Sequence, residues 1–289
     1  MKKHFLYIAL VVLFAACSDE TRLDIAGMFS TNGEPVNTRF AQSKHYNDSI
    51  GEIHVNVGAD DYMVYVCSDS HITRNSHRNL DHFIAQYNAE TAPKIAIHLG
   101  DLIDAQKNFP CADSIIGLAN GPLFMTLGNH DIYFKQWPVY RSYFHTSCYW
   151  FDTRNGSKPL DLYICLDSGE ATLGVLQTQW LRDLLAKKAA EPYRRIIIFT
   201  HTHFWKLDYS QLTASNYNLE ETYELADLFA QHGVSFVWCG HQHARQSVIF
   251  RGVNYLVLDA TKDKEKGQSY MTVQMGENAI YHYINYPKP

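Results

Sequence analysis

The sequence predicts an α/β domain of mainly parallel sheet with helices on the outside. Short apolar runs of strand length alternate with helix-length segments from residue 62 to about residue 239. The runs are apolar at nearly every position, as strands covered on both faces are. Five of them also end abruptly in turns rich in Asp, Asn and His. Ligand sites of α/β folds lie beyond the carboxyl ends of the strands, so those five turns can converge on one place.

Taken in order, residues 18–60 are polar and weakly patterned, and read as a tether followed by one or two edge strands, with alternation over residues 52–57. Residues 62–67 form the first buried strand. Residues 77–90 carry Leu80, Phe83, Ile84 and Tyr87 at helical spacing, and Pro93 bars continuation. A strand over 95–99, a short helix over 113–119 and a strand over 122–127 follow. In the second half, strands are predicted at 162–166, 195–200 and 235–239. Helices are predicted at 176–190, with Trp180, Leu181, Leu184 and Leu185 on one stripe, and at 220–231, capped by Gly233. Residues 246–284 read as antiparallel strands. No linker interrupts residues 61–289, which form one domain.

The 289 residues are 46% apolar and 19% charged, an ordinary globular composition. The net charge is −5, and the chain beyond residue 17, which lacks Lys2 and Lys3, carries −7. No run of Lys and Arg marks a basic face, which argues against a nucleic-acid partner. At the N-terminus, Lys2 and Lys3 precede an apolar run from Phe5 to Ala16 and then Cys17. The run is too short to span a bilayer and reads as a signal peptide over residues 1–17. Its end, Leu13-Phe14-Ala15-Ala16-Cys17, resembles the bacterial lipoprotein signal, in which the Cys is acylated after cleavage; Phe14 departs from the usual Leu. An ordinary secretory signal is the alternative. The resemblance implies an exported chain held at the cell envelope by a lipid on Cys17, facing the periplasm or the surface. Five cysteines remain, an odd number. Cys67, Cys165 and Cys239 sit in apolar runs as buried thiols, whereas Cys111 and Cys148 fall in loop-like segments and can pair or stay free.

The ligand-type turns are Asp69-Ser70-His71, Gly100-Asp101-Leu102-Ile103-Asp104, Gly128-Asn129-His130-Asp131, Thr200-His201-Thr202-His203 and Gly240-His241-Gln242-His243. Oxygen and imidazole donors without thiolate suit Mn, Fe, Zn and similar ions. Asp101 is a candidate bridge, since one carboxylate can hold two metals with its two oxygens. Singly these motifs are weak; five in this order, each at a strand end, are specific.

The set resembles the calcineurin-like metallophosphoesterase family over residues 62 to about 260, and Leu166-Asp167-Ser168 with Gln177-Thr178-Gln179-Trp180-Leu181 resembles its phosphodiesterase and acid-phosphatase branches. The resemblance implies a four-layer α-β-β-α sandwich of two mixed β-sheets flanked by helices. It implies hydrolysis of a phosphate monoester or diester by water activated at a dinuclear metal site. One transition-metal ion would be held by Asp69, His71, Asp101 and His243, the other by Asp101, Asn129, His201 and His241. His130 would be the general acid, oriented by Asp131. The sequence departs from the family pattern where His203 replaces the Pro of His-x-Pro, leaving His203 a rival to His201. Asp104 stands where purple acid phosphatases carry Tyr, so no iron-tyrosinate is expected.

The other histidines read as ordinary, with His98 hydrogen-bonded inside a strand and His77, His82 and His232 solvated or capping on or beside helices. Asp104 reads either as a support for the ligands or as a solvated turn residue. The aromatic segment from Tyr133 to Phe151 reads as packing against the sheets or, alternatively, as a wall facing substrate. A non-catalytic binding or scaffold protein of the same fold is the competing function. The complete ligand set with His130 argues against it, because such descendants lose ligands.

Overall fold

The computed structural model describes residues 33–288 except 209, 210, 215 and 266, and the side chains of 207–214 are not described. The signal segment, Cys17 and most of the tether expected from the sequence lie outside the described residues.

Two mixed sheets face each other. The five-stranded sheet has β2 (Tyr62–Cys67), β3 (Lys94–His98) and β4 (Leu123–Met125) in parallel, with β13 (Ser269–Met275) antiparallel beside β2 and β14 (Ala279–Asn285) antiparallel beside β13 at the edge. The seven-stranded sheet runs β1 (Ile53–Asn56), β5 (Tyr149–Asn155), β6 (Lys158–Cys165), β7 (Arg195–Phe199), β10 (Val234–Cys239), β12 (Val253–Val257), β11 (Gln246–Phe250). Val64, Val66, Ile95 and Ile97 of the first sheet meet Phe151, Tyr163, Ile197, Phe199 and Trp238 of the second in a dry central layer. Alternate residues point outward. Tyr65, Cys67 and Ala96 pack under α2 (Arg78–Ala89), α3 (Phe109–Ile116) and α4 (Trp137–Phe144). Leu162, Ile164 and Ile198 pack under α5 (Gly174–Lys188) and α6 (Leu219–Gln231). This is the α-β-β-α sandwich. Burial on both faces is why the strands read as unbroken apolar runs.

The segment expected to be tether and edge strand departs from that expectation. Ile53–Asn56 is an edge strand, but Val36–Ile50 forms a 15-residue helix, α1, packed on α5. Its buried positions, Val36, Arg39, Phe40 and Ser43, follow helical spacing, yet two of the four are polar, so no apolar stripe announces it. Arg39 is fully buried because Asp167 accepts from its Nε and Nη2, both at 2.8 Å. The helix expected at 113–119 instead starts at Phe109, with Pro110 in its first turn, where proline's missing N–H costs nothing. Cys111 lies on that helix rather than in a loop, and the five described cysteines are all free thiols. Residues 205–214 form a hairpin of β8 (Trp205–Asp208) and β9 (Gln211–Ala214) that the sequence reading did not anticipate. No described helix is long and apolar enough to cross a membrane.

Candidate metal centre

The five turns meet beyond the carboxyl ends of β2, β3, β4, β7 and β10. Their backbone is unusual. Asp69, His71, Asp101, His241 and His243 all have positive φ, from 43° to 71°. Such conformations cost about 1–3 kcal/mol each in non-glycine residues and persist only where surroundings enforce them. Here a mesh of hydrogen bonds does so. The N–H groups of Asp69 and His71 donate to the carbonyls of Gly100 and Asp101, both at 3.0 Å. Gly240 N–H donates to His201 O at 2.9 Å, and His241 N–H reaches both Asp69 oxygens at 3.0–3.1 Å. The loops also touch: a Cβ on Gly128 would lie 2.1 Å from Asp101 Oδ1, and one on Gly240 only 1.9 Å from Ser68 Oγ. Both positions therefore require glycine.

The side chains form adjoining donor groups, Asp69–His71–His243 and Asp101–His201–His241, each able to hold a metal; His71, Asp101 and His130 make a third such group. In the first, His71 Nε2 lies 3.1 Å from His243 Nε2, and His243 Nε2 lies 3.3 Å from Asp69 Oδ1. In the second, Asn129 Oδ1 is 3.0 Å from both His201 Nε2 and His241 Nδ1, and those two nitrogens are 3.2 Å apart. Ligands about 2.1 Å from a shared ion stand roughly 3.0–3.4 Å apart, so the donor set fits a metal. Asp101 Oδ2 faces both groups, 3.6 Å from His71 Nε2 and 3.3 Å from His201 Nε2. Its Oδ1 accepts from His130 N–H at 2.8 Å. Asp101 thus stands between the two donor groups, where a bridging carboxylate would be expected.

The ligand rings are held from behind. His201 Nδ1 donates to Leu99 O at 2.8 Å, which leaves Nε2 free to bind. Asp104 Oδ1 lies 2.6 Å from His71 Nδ1. Asn216 is 2.6 Å from His241 Nε2, so that ring presents Nδ1 inward. His203 lies beside His241, with ring centroids 5.7 Å apart and planes tilted by 37°, and the donor group at that point is Asp101, His201 and His241. Burial and the neighbouring imidazoles push His203 down to about 3. Burial also opposes charge on Asp69 and Asp101. The surrounding histidines outweigh it and hold both carboxyls well below the usual range. His201, in turn, is raised by Asp101 and Asp69 to about 9 against the effect of burial. Two buried carboxylates whose counter-charges are protons on imidazole are poised to exchange those protons for metal.

His130 is partly exposed, its ring 4.6 Å from that of His71. Burial and the His71 charge lower its pKa. Asp131 does not orient it. The Asp131 carboxylate instead accepts from Leu102 and Ile103 N–H through Oδ1 and from Gly128 N–H through Oδ2, binding two site loops together. Burial beside Asp101 raises it to about 7. The carboxylate near His130 is that of Asp104, 3.5 Å from Nδ1. His98 is structural, as expected: Gly100 N–H donates to its Nδ1, and its Nε2 meets Ser70 Oγ at 2.7 Å. Of the aromatic segment, Tyr133 lies at the site, against His130 and accepting from Asn129 Nδ2, whereas Trp137, Tyr140, Tyr149 and Phe151 pack in the cores. The sequence reading missed Asn216, which sits beside a hairpin rather than at a strand end. The Ser168 hydroxyl meets Thr200 Oγ1 at 2.6 Å and accepts from the His201 and Thr202 amides.

Comparison with known proteins gives a consistent picture. No curated protein matches the sequence significantly. Among solved structures, the chain is similar to GAP50, the anchor in the inner membrane complex of Plasmodium. There the TM-score is 0.57 and the identity 13%, with 80% of this chain and 90% of that one covered. It is also similar to a putative 5′-nucleotidase from Staphylococcus aureus, with a TM-score of 0.50 and 16% identity, over 79% of this chain and 55% of that one. At these identities the likeness is one of fold. The model of the calcineurin-like phosphoesterase family matches residues 62–245, a span that takes in all five ligand turns. With that match over more than half its length, the chain belongs to the calcineurin-like phosphoesterase family.

Proposed function

We propose that this chain hydrolyses phosphate esters outside the cytoplasm with two metal ions, one held by Asp69, His71, Asp101 and His243, the other by Asp101, Asn129, His201 and His241. The observation that carries the reading is the single Asp101 oxygen facing both donor groups, 3.6 and 3.3 Å from their nearest histidine nitrogens. Mn, Fe or Zn suits such donors. A metal pair clamps phosphoryl oxygens and lowers the pKa of bound water. The chain's own residues do the rest. Asn129 presents Oδ1 to the second donor group while its Nδ2 is held by the Tyr133 hydroxyl, so the amide cannot rotate. His130 stands at the open side of the cluster, and Asp104 beside Nδ1 leaves Nε2 to give a proton to the departing oxygen. Asp131 fixes the loop that carries His130.

The fold neighbour that serves as an anchor favours a second reading, a scaffold without catalysis. The intact donor set supports the enzyme. The test loads residues 18–289 with Mn²⁺ and assays bis-nitrophenyl phosphate beside nitrophenyl phosphate, with Asn129→Ala as control. Two metals per chain and turnover lost in the control are expected. A chain that neither binds metal nor turns over either ester is the scaffold.

A further inference from the structure

The face that holds the site also carries apolar side chains that hydrolysis does not use. Phe134 is 69% exposed, Val175 76%, Leu176 48% and Leu219 57%. All lie beyond the carboxyl ends of strands: Phe134 in the loop after β4, Val175 and Leu176 at the start of α5, Leu219 at the start of α6. Close contacts join these segments into one rim. Leu176 N–H donates to Asn37 Oδ1 at 3.1 Å, and a Cβ on Gly174 would lie 2.7 Å from Val36 Cγ1, so α1 and α5 begin side by side. Glu221 of α6 accepts from Leu173 N–H at 2.7 Å. A Cβ on Gly33 would sit 3.8 Å from Ile132 O and 3.9 Å from the Cα of Lys135. Phe134 and Lys135 are both left-handed, with φ of 54° and 63°. A bulky aromatic residue held there pays conformational energy and recovers none by burial in the protein.

The position of Gly33 gives the rim a direction. Fifteen residues, 18–32, separate it from Cys17. A chain of that length spans about 21 Å on average and about 50 Å when extended. A domain of about 250 residues has a radius of gyration near 18 Å, so about 70 Å of surface separates one pole from the other. A lipid on Cys17 therefore holds the Gly33 side toward the bilayer, and the opposite face cannot be turned to it. With a charge of −7 beyond residue 17, attraction to anionic lipid is not the source of contact, and an apolar rim is what remains.

We propose that the site face rests on the lipid surface and that the substrate is an amphiphilic phosphate ester whose headgroup stands at that surface. This rests on the hydrolase reading above and on acylation of Cys17. The full-length lipidated chain is placed on phosphatidylcholine vesicles, with Phe134→Trp or Leu118→Trp introduced; Leu118 is an exposed residue at the opposite end, before β4. Relative to wild type, brominated phosphatidylcholine should quench the added fluorescence at position 134 and not at 118. On vesicles containing an alkyl nitrophenyl phosphodiester, the triple variant Phe134→Ser, Val175→Ser, Leu176→Ser should lose at least fivefold in turnover. On soluble bis-nitrophenyl phosphate it should stay within twofold. Quenching at neither position, or at 118, overturns the orientation; equal losses on both substrates overturn the substrate class. A wild type that binds no metal and is inactive on both soluble nitrophenyl esters and on the vesicle substrate overturns the hydrolase reading and the substrate with it, while the quenching pair decides the orientation by itself. A chain recovered with Cys17 unmodified overturns the tether.

Discussion

The two ends of the sandwich each bury a cluster of charged groups, and they solve the problem of buried charge in opposite ways. At the end away from the site, Asp161 is fully buried and accepts from the Tyr62 hydroxyl at 2.9 Å and from Arg194 Nη2 at 2.5 Å, with Arg195 at 3.6 Å. Tyr62 in turn meets Tyr163 at 2.6 Å and Thr153 at 3.0 Å. Every member sits in or beside a regular strand, and none has positive φ. The counter-charge is arginine, which cannot be deprotonated and has no reason to leave. At the site end the acids face histidine and asparagine, whose donor-type atoms stand 3.0–3.3 Å apart, on strained backbone. In the far cluster the counter-charges are fixed, and Asp161 Oδ1 and Arg194 Nε are left without a hydrogen bond. The near one leaves a place for a cation.

The sharpest way to break this comparison is to neutralise one acid at each end. Asp101→Asn should cut turnover by 10³-fold or more, on the order of 4 kcal/mol in the barrier. It should leave the melting temperature of the metal-free chain within about 2 °C, because the amide oxygen can still accept from His130 N–H. Asp161→Ala should do the reverse. Removing one partner of a buried ion pair costs about 3–5 kcal/mol, or about 6–20 °C in a domain of this size, while turnover per folded molecule stays within a few-fold. If both variants lose stability alike, the two ends are not different in kind. Metal removal is the companion test. At a hundred times its dissociation constant, Mn²⁺ should stabilise the chelator-stripped protein by about 2.7 kcal/mol. Calorimetry should find that gain intact in Asp161→Ala and lost in Asp101→Asn.

The same contrast explains what was legible beforehand. The near cluster announces itself because its residues must follow strand ends at short spacing, and five such turns in order are visible in one dimension. The α/β class was legible through its strands, since burial on both faces leaves uninterrupted apolar runs such as Tyr62–Cys67 and Arg195–Phe199, whereas the two-sheet sandwich came only from the family resemblance. Helix α1 was hidden because half of its buried positions are polar, Arg39 and Ser43, whose partners, Asp167 and Ser147, lie more than a hundred residues away. Asp131 was misassigned for a related reason. Adjacency to His130 suggested a partnership, but the backbone turn points the carboxylate toward the Asp101 loop instead. Nothing in the sequence marks Asn216, which follows the β8–β9 hairpin and lies 2.6 Å from His241 Nε2.

The groups behind the ligands sharpen the comparison on a smaller scale. Asp104→Asn leaves the His71 ring in place but weakens its orientation and basicity. Such supporting contacts are worth about 10–100-fold in metal affinity or activity. Titration with Mn²⁺ should show the loss as weaker binding, not as a changed stoichiometry. Asn216→Ala removes a neutral, exposed support, and its effect should be about tenfold or less. A loss equal to that of Asp104→Asn would mean that the hairpin helps build the centre instead of merely leaning on it.

The smallest effect tests whether arginine-closed clusters behave as fixed charges under acid. Asp152 is buried on β5, 2.8 Å from His54 Nδ1, the Tyr193 hydroxyl and Arg154 Nη2. Burial alone would raise its pKa, but the hydrogen bonds from Arg154, His54 and Tyr193 outweigh that and hold it below the usual value. A depressed folded-state pKa means the unfolded chain binds the proton more readily. The stabilisation is therefore complete above the unfolded value of about 3.9 and fades as pH falls through the folded one. Urea midpoints of wild type and Asp152→Asn should then differ at pH 7 and draw together toward pH 3. A constant gap across that range would show that Asp152 contributes through shape and neutral hydrogen bonds, and that closure by arginine is not what distinguishes its surroundings from the metal centre.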